Sequence, residues 1–109
     1  MNTEVIKVIK QIEELGWNVN IEYDTVVELS KYSPAGKDFY MLIDTENNID
    51  CFIENIYKYY DNFDVSYETY LWLDDEGHGV NGAPYDMREV YNDIEACKNN
   101  IYKLYQELN

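Results

Sequence analysis

Basic residues are scarce in this chain: eight Lys and Arg stand against 22 Asp and Glu over 109 residues, a formal net charge of −14. Binding to the phosphates of a nucleic acid needs cationic side chains to displace condensed counterions. This balance therefore excludes direct contact with DNA or RNA, and it repels anionic lipid as well. No apolar run approaches the length that spans a bilayer, and the first residues lack the charged, apolar and small-residue zones of a signal peptide. A soluble, cytoplasmic protein with no membrane partner is expected. Cysteine is limited to Cys51 and Cys97, without Cys-x-x-Cys spacing, so both read as packing residues rather than disulfide or zinc ligands. Histidine is limited to His78, which leaves the hydroxyl of Ser33, before Pro34, with a single available base and without the Gly-x-Ser-x-Gly elbow that a nucleophile needs.

The remaining signatures are similarly incomplete. Gly77, Gly79 and Gly82 fit Gly-x-Gly-x-x-Gly, but Asp74, Asp75 and Glu76 directly before them would repel a pyrophosphate, so a glycine-rich loop accounts for the match. Those three acids with His78 form a cluster of metal donors that lacks the ordered spacing of a calcium loop and the several His or Cys ligands of zinc. No metal or cofactor is expected, and no catalytic residue stands out. A metal-dependent enzyme built on Asp74, Asp75, Glu76 and His78 is the third-ranked reading.

What the chain does contain is an apolar fraction of 46%, enough for one folded domain over residues 1–109. Its organising element is the last: Met87, Val90, Ile94, Cys97, Ile101, Leu104 and Leu108 recur at steps of three and four. That spacing predicts a helix from Met87 almost to the chain end, with Asp86 as N-cap and Glu89 completing a capping box. The same stripe read as a coiled-coil seam would make a homodimer, but Tyr91 and Tyr105 widen it toward the face a helix shows to a sheet.

Upstream, Thr3 is the expected cap of a first helix with Val5, Ile6, Val8, Ile9, Ile12 and Leu15 on its apolar side and Gly16 as its stop. Trp17, Val19, Ile21 and Tyr23 then alternate with polar residues, the pattern of a half-buried strand, and Asp24 and Thr25 turn it into a second strand through Val27 and Leu29. Residues 30–38 read as a loop. Phe39, Met41 and Ile43 face one way and Tyr40 and Leu42 the other, so residues 39–44, apolar on both sides, are the expected centre of the sheet. A second helix over residues 48–60 presents Ile49, Phe52, Ile53, Ile56 and Tyr60, with Phe63 and Val65 anchoring the chain after it. Residues 66–73 suit either a strand or a helical turn, and alternation of Tyr67, Thr69, Leu71 and Leu73 favours the strand. The expected fold is α+β: a three- to four-stranded antiparallel sheet, helices packed on one face, and a long C-terminal helix.

The stretch from Glu28 to Phe39, with Ser33-Pro34-Ala35-Gly36 at its heart, resembles small acidic proteins carried by phages and conjugative elements of Gram-positive bacteria. Phe63-Asp64, Trp72 and the acidic-then-apolar last helix agree with that resemblance over roughly the C-terminal three quarters of the chain. Lys37 departs from it, standing where an acid is expected. The resemblance implies an origin on a mobile element and carries no established activity.

Charge is segregated as well as abundant. Residues 38–76 hold eleven acids and one base, Lys58, interleaved with Tyr57, Tyr59, Tyr60, Tyr67, Tyr70 and Trp72. Carboxylates with aromatic planes between them offer a basic groove what a polynucleotide offers it. The expected partner is a basic nucleic-acid-binding protein of the host, such as a CRISPR or restriction enzyme, bound stoichiometrically and without catalysis. The expected partner-binding residues are Asp50, Glu54, Asp61, Asp64, Glu68, Asp74, Asp75 and Glu76. A plain solubilising role for the acids, or a self-associating structural domain of a mobile element, competes with this reading. The oligomeric expectation is a monomer or a homodimer.

Overall fold

The computed structural model describes residues 1–72 and 87–109, with the side chains of Tyr70 and Trp72 left aside. The elements run α1 (Thr3–Glu14), β1 (Asn18–Tyr23), β2 (Val26–Tyr32), β3 (Asp38–Asp44), α2 (Ile49–Asp61), α3 (Val65–Trp72) and α4 (Met87–Leu108). This is the expected α+β arrangement, an antiparallel three-stranded sheet with a long C-terminal helix. The expected N-cap at Asp86 lies outside the described residues.

Among the described residues the strand order is β1-β2-β3, so there β2 holds the centre and β3 is an edge strand, contrary to the expectation from its two apolar sides. Burial resolves the discrepancy. Phe39, Met41 and Ile43 are buried in the core, whereas Tyr40 and Leu42 face away from it and are exposed. Short links join β2 to both neighbours, and such links permit only antiparallel partners on either side. Val27 pairs with Ile43 and Leu29 with Met41, which places all four on the covered face. β2 also runs on through Ser30, Lys31 and Tyr32, three residues the sequence assigns to a loop.

The buried face of β1 is shorter than its alternation suggests. Trp17 is buried and Val19 half-buried, but Ile21 and Tyr23 are 67% and 60% exposed beyond the cover of the helices. The Lys31 ammonium lies 5.6 Å from the centre of the Trp17 ring, sealing that corner with a cation over an aromatic face.

The first helix is capped by Asn2 rather than Thr3. The Asn2 side-chain oxygen accepts the Val5 N–H at 2.8 Å, and its backbone N–H donates to Asn47 Oδ1, tying the chain start to the β3–α2 turn. Gly16 ends the helix as expected, at a φ of 97° that a side chain would strain. In α2, Asn48 caps by accepting the Cys51 N–H at 3.0 Å. Its inner side carries Phe52 and Ile56, both fully buried.

Residues 66–73 are the main departure, because 65–72 form α3 and the described residues contain no fourth strand. The deciding residue is Asp64, whose carboxylate accepts the Tyr67 N–H at 3.1 Å while its carbonyl accepts the Glu68 N–H. An N-cap fixes the first turn and outweighs a period-two pattern of only four residues. Thr69 then adapts to the helix by donating its hydroxyl to the Val65 carbonyl at 2.8 Å.

α1, α2 and α3 all pack against α4. Val90, Ile94, Cys97, Ile101 and Leu104 of its stripe are buried in one cluster with the sheet, so this stripe serves the chain's own core. Only Met87, at 64% exposure, falls off it. Cys97 sits within the cluster, where burial and the nearby Asp93 push its thiol up to about 12.

Candidate interaction surface

The described residues among those expected to bind a partner fall into three settings. Asp50, Glu54 and Asp61 are spaced four and seven residues apart on α2, which brings them to one side of the helix opposite Phe52 and Ile56. All three are exposed. The base on this stretch, Lys58, pairs with Glu54 at 3.7 Å, and both side chains remain largely in solvent, where such a pair contributes little.

Asp64 follows at the α2–α3 junction and is exposed, with one carboxylate oxygen engaged by the Tyr67 N–H. Glu68 is different. It turns into a hollow lined also by Tyr59, Asn55 and the β3 residues Leu42, Ile43 and Asp44. Burial, and then the charge of Asp64, raise its carboxyl above the usual range. Burial, Glu68 and Tyr40 together raise the Tyr59 hydroxyl. Asp74, Asp75 and Glu76, the remaining expected partner-binding residues, lie outside the described residues, as do His78 and the glycines at 77, 79 and 82.

The structure thus brings Asp50, Glu54 and Asp61 onto one stripe, sets Asp64 beside its end, and diverts Glu68 into a groove. The raised Glu68 carboxyl has a sign that can be checked. A group that keeps its proton to higher pH in the folded state than in the unfolded chain favours folding at low pH. That contribution is lost as pH rises through the folded value. At neutral pH the Glu68 charge therefore opposes folding. Glu68→Gln is expected to raise the melting temperature at pH 7, and the gain should shrink as pH falls into the ordinary carboxylate range near about pH 4. Thermal unfolding across pH checks it, and equal melting temperatures at pH 7 would contradict the assignment.

Four tyrosines border the α2 stripe on its α4 side. The Tyr57 and Tyr105 rings lie 5.0 Å apart, Tyr60 and Tyr102 4.9 Å, with Tyr57–Tyr60 and Tyr102–Tyr105 contacts at 6.0 and 6.2 Å closing the group. Lys98 lies 5.1 Å from the Tyr60 ring and donates to the Phe63 carbonyl at 2.7 Å, which holds the end of α2 against α4. Tyr57 and Tyr102 are exposed and Tyr60 and Tyr105 half-buried, so the cluster is a packed group of mutually tilted rings with an outer face. Tyr102 and Tyr105 come from the last helix, and sequence proximity to the acids gave no sign of them.

A second acidic face was also not read from the sequence. Helices cover one side of the sheet, and the other carries Asp38, Tyr40, Leu42 and Asp44 from β3 with Glu28 and Tyr32 from β2. Register sets Glu28 opposite Leu42 and Tyr32 opposite Asp38. Asp44 is held below the usual carboxylate range, first by the Thr25 hydroxyl, which donates at 2.7 Å, and then by the Glu46 N–H. The available signal was that acids flank both ends of β3, which marks the face of Tyr40 and Leu42 as open.

Ser33, the weak nucleophile candidate, is buried and donates to Asp93 Oδ2 at 2.6 Å. Its own oxygen accepts the Lys37 N–H at 3.0 Å, and the Ala35 N–H donates to Asp93 Oδ1 at 3.0 Å. This arrangement fastens a loop to α4. Among the described residues no three His, Cys, Asp or Glu side chains are placed to hold a metal ion, and no helix is long and apolar enough to cross a membrane.

Compared with known protein families, with curated proteins and with solved structures, the chain matches none.

Proposed function

We propose that this chain is a small acidic inhibitor of mobile-element origin. It occupies the nucleic-acid groove of a basic host defence enzyme, of the CRISPR or restriction kind, in the bacterial cytoplasm. The mechanism is stoichiometric occupation with no chemistry.

The supporting observation is the α2 stripe. A helix rise of about 1.5 Å per residue sets Asp50 and Glu54 about 6 Å apart along the axis and Glu54 and Asp61 about 10 Å apart. One strand of B-DNA carries a phosphate about every 3.4 Å of axis, so these steps correspond to roughly two and three nucleotides. Tyr57 lies on the same side of α2, and the exposed rings of the four-tyrosine cluster beside it offer aromatic faces, as bases do, to a binding cleft. The rigidity of a capped helix packed on α4 keeps the spacing fixed before binding, which reduces the ordering cost of association.

The test has two steps. Immobilised chain is exposed to bacterial lysate at low salt and eluted with a salt gradient, and each retained protein is then assayed for nucleic-acid binding in the presence of the chain. The expected result is a retained enzyme whose substrate DNA or RNA competes with the chain for one site. Retained proteins that hold their nucleic acid and the chain together, or that resist elution by salt, would overturn the reading.

A further inference from the structure

β3 is hydrogen-bonded to β2 on one side and has no strand on the other among the described residues. A groove follows that free edge. One part of it, about 450 Å³, is lined by Leu42, Ile43 and Asp44 of β3 and by Asn55, Lys58, Tyr59 and Glu68 of the helices, with the Lys58 ammonium engaged by Glu54 at 3.7 Å. A second part is lined by Asp38, Phe39 and Tyr40 and again by Tyr59 and Glu68, so the two share one wall and together extend along β3. Seven residues of strand at about 3.3 Å each make this edge roughly 23 Å long. An unpaired edge of that length presents a row of backbone donors and acceptors ready for an added strand.

Charge decides what can fill it. A second copy of this chain is disfavoured by its own register. Two β3 edges paired antiparallel about Met41 would set Asp38 directly opposite Asp44 in both halves of the pair, like charges in contact, between molecules each carrying −14. The same placement suits a cation. An added strand alternates its side chains between the groove, where Glu68 stands, and the open face, where Asp38 and Asp44 stand at the two ends and Tyr40 and Leu42 between them.

We propose that the free edge of β3 accepts an extended basic segment of a partner protein as a fourth strand, its Lys or Arg side chains meeting Glu68 on the groove side and Asp38 and Asp44 on the open side. Main-chain hydrogen bonds supply affinity and the acids supply selection. This surface is separate from the α2 stripe and does not depend on the inhibitor reading: a chain that fails to displace any nucleic acid would still take up the peptide.

The experiment titrates isotope-labelled protein with an end-blocked Lys-Val-Val-Lys-Val-Val-Lys peptide, whose outer lysines fall on one face of a strand and whose middle lysine falls on the other, its fully N-methylated analogue, and the Glu-for-Lys version. The first peptide is expected to slow amide exchange within 38–44 at least tenfold, with shift changes centred there. The N-methylated analogue keeps the charge but cannot pair, and should bind at least tenfold more weakly. The acidic peptide should not bind. Glu68→Gln should weaken the first peptide about fivefold, the loss of one partly shielded ion pair. Equal binding of the N-methylated analogue, shifts confined to Asp50, Glu54 and Asp61 with no protection in 38–44, or no binding at millimolar peptide would each overturn the proposal. The comparison between peptides is made on the unaltered protein, so it does not depend on how any variant folds.

Discussion

Asp93→Ala is expected to lower the unfolding free energy by about 3 kcal/mol and the melting temperature by roughly 12 °C or more. Asp93 is 5% exposed within α4, and its two oxygens accept from the buried Ser33 hydroxyl and the Ala35 N–H. Hydrogen bonds to a charged group contribute about 1.5–3 kcal/mol each, and a buried donor left without its acceptor costs a comparable amount. Alanine removes both acceptors and fills none of the space. Ser33→Ala should cost less, about 1–2 kcal/mol, because the Ala35 bond to Asp93 survives. The double variant should cost less than the two single losses added, by about 1 kcal/mol or more, since the residues act as one unit. Denaturant unfolding followed by circular dichroism measures all three. A loss below about 1 kcal/mol for Asp93→Ala would mean that this latch does not hold the loop. A domain of this size has a total of about 5–15 kcal/mol, so the latch is a large share of it. It also bears on the surface described above, because the loop leads directly into Asp38 and the start of the outer edge of β3.

Periodicity made α4, α2 and the end of α1 at Gly16 legible, since each buries one continuous stripe and a stripe is visible in a single sequence. Where the outcome depended on a competition between local and distant forces, it was less legible. Residues 66–73 alternate like a strand, but the side chain of Asp64, one residue before the helix, captures the Tyr67 N–H and fixes a helical turn. The position of β3 followed from the short links that set β2 between its two neighbours, and two apolar sides do not distinguish a central strand from an edge strand with one exposed aromatic face. Asp93 had a visible signal. It lies three residues after Val90 and four before Cys97, on the core stripe itself, and a charge at such a position implies a buried partner. The partner, Ser33, is 60 residues away, and no spacing rule connects them. The candidate surface divides the same way: three acids on α2 follow from helical spacing, whereas the tyrosines of α4 that complete it depend on how two helices pack.

The combined variant Asp50→Asn, Glu54→Gln and Asp61→Asn is expected to lose more than 100-fold in affinity for the basic partner while keeping close to the stability of the unaltered chain. Each carboxylate facing a cation across an interface contributes on the order of 1 kcal/mol when partly desolvated, and about 1.4 kcal/mol corresponds to a factor of ten. Three such contacts therefore exceed two decades. Stability should change little, because the three groups are exposed, and relief of the Asp50–Glu54 repulsion at i and i+4 offsets the loss of the exposed Glu54–Lys58 pair and of the Asp50 charge in the first turn of α2. The loss should appear in both rate constants: weaker steering slows association, and fewer contacts speed dissociation. Salt separates mimicry from simple attraction. A duplex surrenders condensed counterions on binding, but a folded protein with fixed, spaced carboxylates has no condensed layer to release. Binding of the chain should therefore weaken with salt by screening, more gently than binding of DNA to the same enzyme. Surface plasmon resonance with the enzyme immobilised, run at several salt concentrations with the chain, the variant and a DNA duplex, gives all of these quantities. A variant that binds as tightly as the unaltered chain would remove the α2 stripe from the interface and leave its acids as solubilising charge.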